Sequence, residues 1–486
     1  MATDVSVNPL WGSLALDREA ELSLQDQIVS YFREAISSGR IAPGRRIPSS
    51  RQLASEHGIS RMTALEAYDR LAAEGYLFTK DRSGVFACTT MPDSYFMRAP
   101  DRVSNLIAAN GDLPLNVMPF DPSWHRLPLT PGLPAIDQFP WKEWSRLTAD
   151  VLRERPIDAL HYGDPRGEYV LRTAVADYLG AARGISCTPN QIIIVGSSRH
   201  GVDMVARVLG APGDKVWFEE PGHVVCRRLL EATGLVPVPI AVDQNGFDIA
   251  EAKKRAPHAR LALVSPSHQY PLGVTMSVER RTELLEWADC SEGWIIEDDH
   301  DGEYRYSGRP IAPLYAMSQS ERVIYIGSVS NLLAPGLRMG YIVVPKGLTH
   351  AFLVMSASLI SIMGQLILAR FIADGRLSSH LHRMRAVHSR RRALLIEAIE
   401  HHATDVLEVG DAPEAGMRIV ATLAQECDDV TLARRAIEIG VHVHPLSPCY
   451  AGALAKHGLI LGFASTLEQE IEPSVRKLAD LLRSTG

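Results

Sequence analysis

Four short polar runs recur between residues 197 and 331, each just behind an apolar run. They are Ser197-Ser198-Arg199-His200, Ser265-Pro266-Ser267-His268-Gln269-Tyr270, Asp298-Asp299-His300 and Ser328-Val329-Ser330-Asn331. Hydroxyls beside Arg199 and His200 suit an anion, and His300 and Arg418 add further cationic or titratable groups. The acidic run from Glu297 to Asp301 invites a metal. Consecutive oxygen ligands cannot all face one ion, so no metal site is expected there.

The elements that must carry these runs read as strands of a mainly parallel sheet. Gln191–Gly196, Lys215–Phe218, Arg260–Val264, Trp294–Glu297 and Val323–Ile326 are apolar without alternation and are separated by helical patterns. Strands of that kind are buried on both faces. Ligands in such sheets sit outside the carboxyl ends of the strands, where all four polar runs fall. A basic helix through Arg392, short strands Arg418–Leu423 and Val441–Val443, and a closing helix Glu468–Leu482 suit a smaller subdomain from about residue 375 to 486.

The first 90 residues have separate punctuation. Leu24, Ile28, Tyr31, Phe32, Ala35 and Ile36 recur at helical spacing, ending at Gly39. A serine caps a second helix running to His57; Gly58 suits a left-handed position, and Ser60 caps a third helix, Arg61–Glu74. Tyr76–Thr79 and Val85–Cys88 read as a two-stranded wing. Arg46, Arg51, Arg61, Lys80 and Arg82 lie at helix starts and on the wing, where cations hold phosphates while a helix N-terminus reads the major groove. Residues 91–128, rich in Pro, Asn and Asp, read as a linker to a large domain at 129–486.

Composition narrows the function classes. At 486 residues two or three domains are expected, and a net charge of −7 requires any DNA contact to come from a local basic face. Six scattered cysteines and no signal-peptide pattern point to reduced thiols in a cytoplasm. Ala351–Ala369 carries no formal charge, but its serines, glutamine and glycine favour a buried helix over a membrane span.

Residues 22–88 resemble the winged-helix domain of GntR-type regulators through Ile47-Pro48-Ser49-Ser50-Arg51, Gly58-Ile59-Ser60-Arg61, Glu74-Gly75-Tyr76-Leu77 and Ser83-Gly84. The resemblance implies DNA contacts from Arg46, Ser49, Arg51, Ser60, Arg61, Thr63, Lys80 and Gly84. Residues from about Pro140 to the end are similar to the aminotransferase-like domain of the MocR (PdxR-type) subfamily of these regulators. The matching runs are Tyr162-Gly163-Asp164-Pro165-Arg166-Gly167, Pro266-Ser267-His268-Gln269-Tyr270-Pro271, Glu297-Asp298-Asp299 and Ala334-Pro335-Gly336-Leu337-Arg338-Met339-Gly340-Tyr341. The expected fold is therefore multidomain: a winged helix-turn-helix plus an α/β fold type I aminotransferase-like domain, acting as a homodimer.

That resemblance implies a pocket for a cofactor or effector made by Tyr162, Ser198, Arg199, His200, Tyr270, Asp298, His300, Ser328, Ser330, Asn331 and Arg338. It also implies pyridoxal phosphate, with Arg338 on the phosphate and Asp298 on the pyridine nitrogen. The position of the covalent lysine holds Asn331. An amide nitrogen is not a nucleophile toward an aldehyde. Other family positions also differ: His300 and His388 stand for tyrosines, Arg418 for a histidine, and Ser197-Ser198-Arg199-His200 for the usual phosphate cradle. Ile460 occupies the place of an arginine for a substrate carboxylate. The expectation is a non-catalytic, operator-binding regulator without covalent cofactor, its pocket taking an anionic small molecule. Non-covalent pyridoxal phosphate is one candidate ligand. A fused, pyridoxal phosphate-dependent aminotransferase is the alternative.

Overall fold

The computed structural model describes residues 14–20, 22–80, 83–89, 122–155, 157, 160, 162–306, 311–356, 360–410, 415–425, 427–452 and 455–484. The chain forms two compact units, Met1–Met118 and Pro119–Gly486.

In the first unit α1 (Leu24–Ser37) starts at Ser23, whose side chain accepts from the Asp26 amide. Helix α2 (Ser50–His57) starts at Ser49 and ends at Gly58, which is left-handed (φ 61°, ψ 35°). Ser60 then caps α3 (Arg61–Ala73) by accepting from the Thr63 amide at 3.0 Å. A left-handed glycine between two capped helices sets the turn of a helix-turn-helix. Strands β1 (Leu77–Lys80) and β2 (Gly84–Ala87) pair antiparallel as the wing. Ile28, Phe32, Leu53, Ala64, Tyr68 and Leu71 form the core.

The second unit is built on an eight-stranded sheet. Its strands are β3 (Ile192–Val195), β4 (Lys215–Glu220), β5 (Val236–Asp243), β6 (Gly246–Phe247), β7 (Leu261–Val264), β8 (Trp294–Asp299), β9 (Val323–Ser328) and β10 (Gly340–Val343). Their order is β3-β10-β9-β8-β7-β4-β5-β6, with β10 and β6 antiparallel to their neighbours. Alternate residues of each strand enter opposite cores: Val216 and Phe218 one, Trp217 the other; Ile296 one, Ile295 the other. Two buried faces explain apolar runs without alternation. Helices α4 (Trp141–Glu154) and α5 (Tyr169–Arg183) pack against the helix Ile362–Ala373. Helix α6 (Ser198–Leu209) follows β3.

A second sheet, of order β11-β12-β14-β13, forms the smaller subdomain. It comprises β11 (Leu407–Val409), β12 (Arg418–Leu423), β13 (His444–Pro445) and β14 (Gly458–Gly462). Its long helix Arg376–His402 packs on the closing helix Glu468–Arg483.

The expected strand Val441–Val443 is absent; the strand is His444–Pro445. The Val441 amide instead closes the preceding helix on Ala436, and that of His442 donates to Pro128 at 3.0 Å. The apolar stretch Ala351–Ala369 contains parts of two helices, Thr349–Met355 and Ile362–Ala373. Among the described residues no helix is long and apolar enough to cross a membrane. Of the expected linker, residues 91–121 lie outside the described residues. Its last part is held to the second unit: Pro122–Arg126 is a 3-10 turn, and the Trp124 carbonyl accepts from Thr130 Oγ1 at 3.1 Å.

The capping geometry gives a stability expectation. Ser60→Ala removes the cap of α3 at about 1 kcal/mol. In calorimetry of the whole chain, the transition of the N-terminal unit should fall by roughly 4–8 °C, while that of the larger unit stays in place.

Candidate functional site

On the first unit Arg46, Ser49, Arg51, Ser60, Arg61 and Lys80 are exposed and Thr63 is half-buried. Elsewhere on this unit the arginines are committed: Arg33 to Glu74, Arg40 to Glu34, and Arg70 to Asp26 and Glu74. Among the described residues Arg46, Arg51, Arg61 and Lys80 have no such partner, which leaves them available to phosphates. The Arg46 guanidinium lies against Gly84, where a Cβ would stand 2.9 Å from its Nε. Gly84 (φ 113°) thus gives Arg46 room across the wing. The hydroxyls of Ser49 and Ser60 already serve as helix caps. Arg82 lies outside the described residues. The sequence reading missed Met62 and Leu65, both exposed on α3, although apolar side chains there suit thymine methyl groups.

On the second unit the strand ends meet. The short helix Val329–Leu332 is capped by Ser328, whose hydroxyl accepts from the Asn331 amide at 3.3 Å. Asn331 Nδ2 donates to the His300 carbonyl at 3.1 Å, a strut between the ends of β9 and β8. Ser330 turns to the backbone of Met339, its hydroxyl accepting from that amide at 3.2 Å. This ties down the loop that presents Arg338, which is left-handed (φ 51°), exposed and without a partner among the described residues. At the start of α6, Ser197 accepts from the His200 amide at 3.2 Å. His200 Nδ1 accepts from the Gly196 amide at 3.1 Å. Ser198 is half-buried, and Arg199 is exposed and without a partner among the described residues.

The floor of this region is a buried charge cluster. Asp301 Oδ2 accepts from Arg418 Nη1 at 3.0 Å, and Asp301 Oδ1 lies 3.0 Å from His268 Nδ1 and 3.4 Å from His300 Nε2. Arg418 also stacks over the Tyr270 ring at 4.5 Å and reaches the Gln269 carbonyl at 3.3 Å. Burial works against the Asp301 charge, but His268, His300 and Arg418 hold its carboxyl far below the usual range. For His300 burial is again opposed, chiefly by Asp301 and Asp298, and its pKa rises to about 9. Burial lowers His268, so it stays neutral. Asp298 Oδ2 lies 3.6 Å from His300 Nδ1, while its buried Oδ1 has no partner among the described residues.

His268, His300 and Asp301 are close enough together to suggest a metal. Arg418 already places a guanidinium on Asp301, supplying the positive charge a metal would bring. The other acids of the run point elsewhere: Glu297 to the amides of Leu314 and Tyr315, Asp299 to Arg183 and Tyr325. A cavity of about 390 Å³ lies at the opposite, amino-terminal edge of the sheet, lined by Thr188, Gln191, Tyr315 and Lys346, away from this chemistry.

Three expectations need correction. Tyr162 is fully exposed and does not join the pocket of its own chain, because the turn before α5 points outward. Of the four groups expected to suit an anion, Arg418 and His300 are engaged by Asp301 and Asp298, and His200 spends Nδ1 on Gly196. Arg199 and Arg338 keep free guanidinium groups. His388 is used inside the chain: its ring packs 4.6 Å from that of Tyr304, it accepts from the Ala135 amide at 3.3 Å, and burial lowers its pKa to about 3. The sequence reading also missed His223, just past β4, whose ring lies 4.8 Å from Tyr270. Burial, then Arg199, His300 and Arg418, hold it well below the ordinary imidazole value. The Glu219-Glu220-Pro221-Gly222-His223 run is a fifth polar cluster behind a strand and carried the same signal as the other four.

Residues 24–87 match the gntR family of bacterial regulatory proteins, and residues 137–478 match aminotransferase class I and II. The chain is 34% identical over 482 residues to the probable rhizopine catabolism regulatory protein MocR of Rhizobium meliloti, covering 97% of each. It is 29% identical to the pyridoxine biosynthesis transcriptional regulator PdxR of Corynebacterium glutamicum, over 96% of this chain and 98% of that one. Among solved structures, the Pyrococcus horikoshii kynurenine aminotransferase aligns with a TM-score of 0.70 at 27% identity, over 78% of this chain and 98% of that one. A gntR-type winged helix-turn-helix followed by a fold type I aminotransferase domain defines an HTH-type transcriptional regulator. The chain belongs to the MocR family of these DNA-binding regulators.

The buried cluster sets two expectations. Asp301→Asn leaves Arg418 without its counter-charge and should cost about 3–5 kcal/mol in urea unfolding. His300 has a folded pKa above its unfolded value, so its stabilisation is full below about 6.5 and is lost as pH rises through about 9. Unfolding measured from pH 6 to 9.5 should show that loss in the wild type and a shallower slope in His300→Gln.

Proposed function

We propose that this regulator senses an anionic small molecule at the ends of β3, β4, β7, β8 and β9, holds it non-covalently, and performs no transamination. The observation that carries this reading is Asn331. It stands where the family resemblance calls for an amine, and its amide is engaged with the His300 carbonyl. The cofactor of the fold fits in part. Asp298 Oδ1 is buried and unpartnered, as a ring N–H would require, and Ser198 and Arg338 are available for a phosphate. When bound covalently that cofactor would withdraw electrons from an attached amino acid. Asn331 offers no group for the attachment. Arg199 and Arg338 supply the charge for an anion, and the neutral His223 beside Tyr270 offers a flat surface to a ring.

Action on DNA follows from linkage: a ligand that prefers one arrangement of a dimer changes the spacing of the two winged units and so the affinity for paired half-sites. A homodimer is favoured by the large side chains that α4 and α5 leave exposed, Trp141, Leu152 and Tyr169, with Tyr162 beside them. Reduced, free cysteines suit a cytoplasmic setting.

Protein mixed with pyridoxal phosphate and passed through gel filtration separates the readings. A retained chromophore that borohydride does not fix, or no retained chromophore at all, agrees with the proposal. Covalent fixation on the wild type, or turnover of any amino acid, sinks it. Asn331→Lys should gain a borohydride-fixed chromophore if the rest of the pocket still accepts the ring. Arg199→Ala should weaken retention of pyridoxal phosphate, or of inorganic phosphate, by roughly 10–150-fold, the equivalent of about 1.5–3 kcal/mol for a charged hydrogen bond. Unchanged affinity removes Arg199 from the site. Gel filtration with light scattering should give twice the chain mass.

A further inference from the structure

Arg418 faces two ways. Its side chain ends in the Asp301 cluster on the large sheet, while its backbone begins β12 of the small subdomain and pairs across the ladder with Gly462. The Gly462 amide donates to the Leu129 carbonyl at 2.8 Å, and a Cβ on Gly462 would stand 2.0 Å from the Thr130 carbonyl oxygen. The Leu129 amide donates to Thr466 Oγ1 at 2.9 Å, and Thr130 Oγ1 lies 3.1 Å from His442 Nδ1. Residues 128–130 are thus clamped to the small subdomain. They lie at the end of the expected linker, residues 91–128.

Leu129 is fully buried yet left-handed (φ 62°). A leucine in that region stores roughly 1–3 kcal/mol of strain and persists only where its surroundings hold it. The other end of the route carries a comparable feature, Arg338 at φ 51° beside the strand ends. Two strained non-glycine positions therefore flank one path of packed and hydrogen-bonded groups. Such a path transmits a change only if its element has two arrangements that both ends bias.

We propose that Arg418 is a positioning residue that couples the pocket to the root of the linker. A change in how Asp301 holds its guanidinium shifts the start of β12, and through Gly462 loosens or tightens the strained turn at Leu129. This regulatory role rests on the effector-sensing reading above. The physical coupling does not, and it is tested without any ligand, so either can fail alone.

The test is amide hydrogen exchange with mass spectrometry on the full-length protein. Arg418→Lys keeps the charge but shortens the reach to Asp301. Exchange in peptides covering residues 127–136 should quicken at least tenfold, while peptides from 215–220 exchange as in the wild type. Wild-type exchange at 127–136, with 298–303 altered, would overturn the proposal. Should Arg418→Lys quicken exchange everywhere, Gly462→Ala probes the same path from the other end, since its methyl collides with the Thr130 carbonyl. It should quicken exchange at 298–303 and 415–419. Protection unchanged there equally ends the proposal, because thermodynamic coupling is reciprocal.

Discussion

The second unit depends on one buried carboxylate. Asp301 is the common partner of His268, His300 and Arg418, and it joins the large sheet to the small subdomain. Buried ion pairs add little stability relative to a well-packed apolar core, yet losing one member leaves an uncompensated charge. Such a cluster specifies an arrangement more than it strengthens one. It fixes where β12 starts, and it consumes cationic charge that the sequence alone assigns to a ligand. Among the described residues what remains uncommitted is a short set: the exposed Arg199 and Arg338, the buried Asp298 Oδ1 and the neutral His223 ring.

Much of the architecture was readable from periodicity and punctuation. The helix-turn-helix follows from Ser49, Gly58 and Ser60, because caps and left-handed glycines are local and act through the nearest few residues. The parallel sheet follows from runs such as Ile192–Val195, whose apolar character on both faces demands cover from helices. The same logic put the four polar runs together beyond the carboxyl ends of the strands, the place proposed for a ligand. His223 obeyed that rule as well, and was overlooked because Pro221-Gly222 looks like an ordinary turn.

What the residues do to one another was not readable. Arg418 and Asp301 are 117 positions apart, and neither position signals the other. Local sequence marks both as polar. Only the packing of the small subdomain against the large sheet decides that one neutralises the other instead of meeting a ligand. His388 shows the same limit in reverse. The resemblance put it at a pocket position, but packing sets it against Tyr304 and the Ala135 amide, where burial keeps it neutral. Val441–Val443 failed as a strand for a related reason. Its amides were taken by the preceding helix and by Pro128, so no ladder could form.

The state of Asn331 bears on how such a pocket arises. Asn331 bridges to the His300 carbonyl, and His300 in turn is held charged between Asp298 and Asp301. The imidazolium thus gives Asp298 part of the positive partner that a protonated ring would otherwise supply. A site whose charges are largely balanced within the chain can stay folded without a resident cofactor. On the proposed reading, its ligand comes and goes with concentration, as a sensor requires, since only reversible occupancy reports an amount.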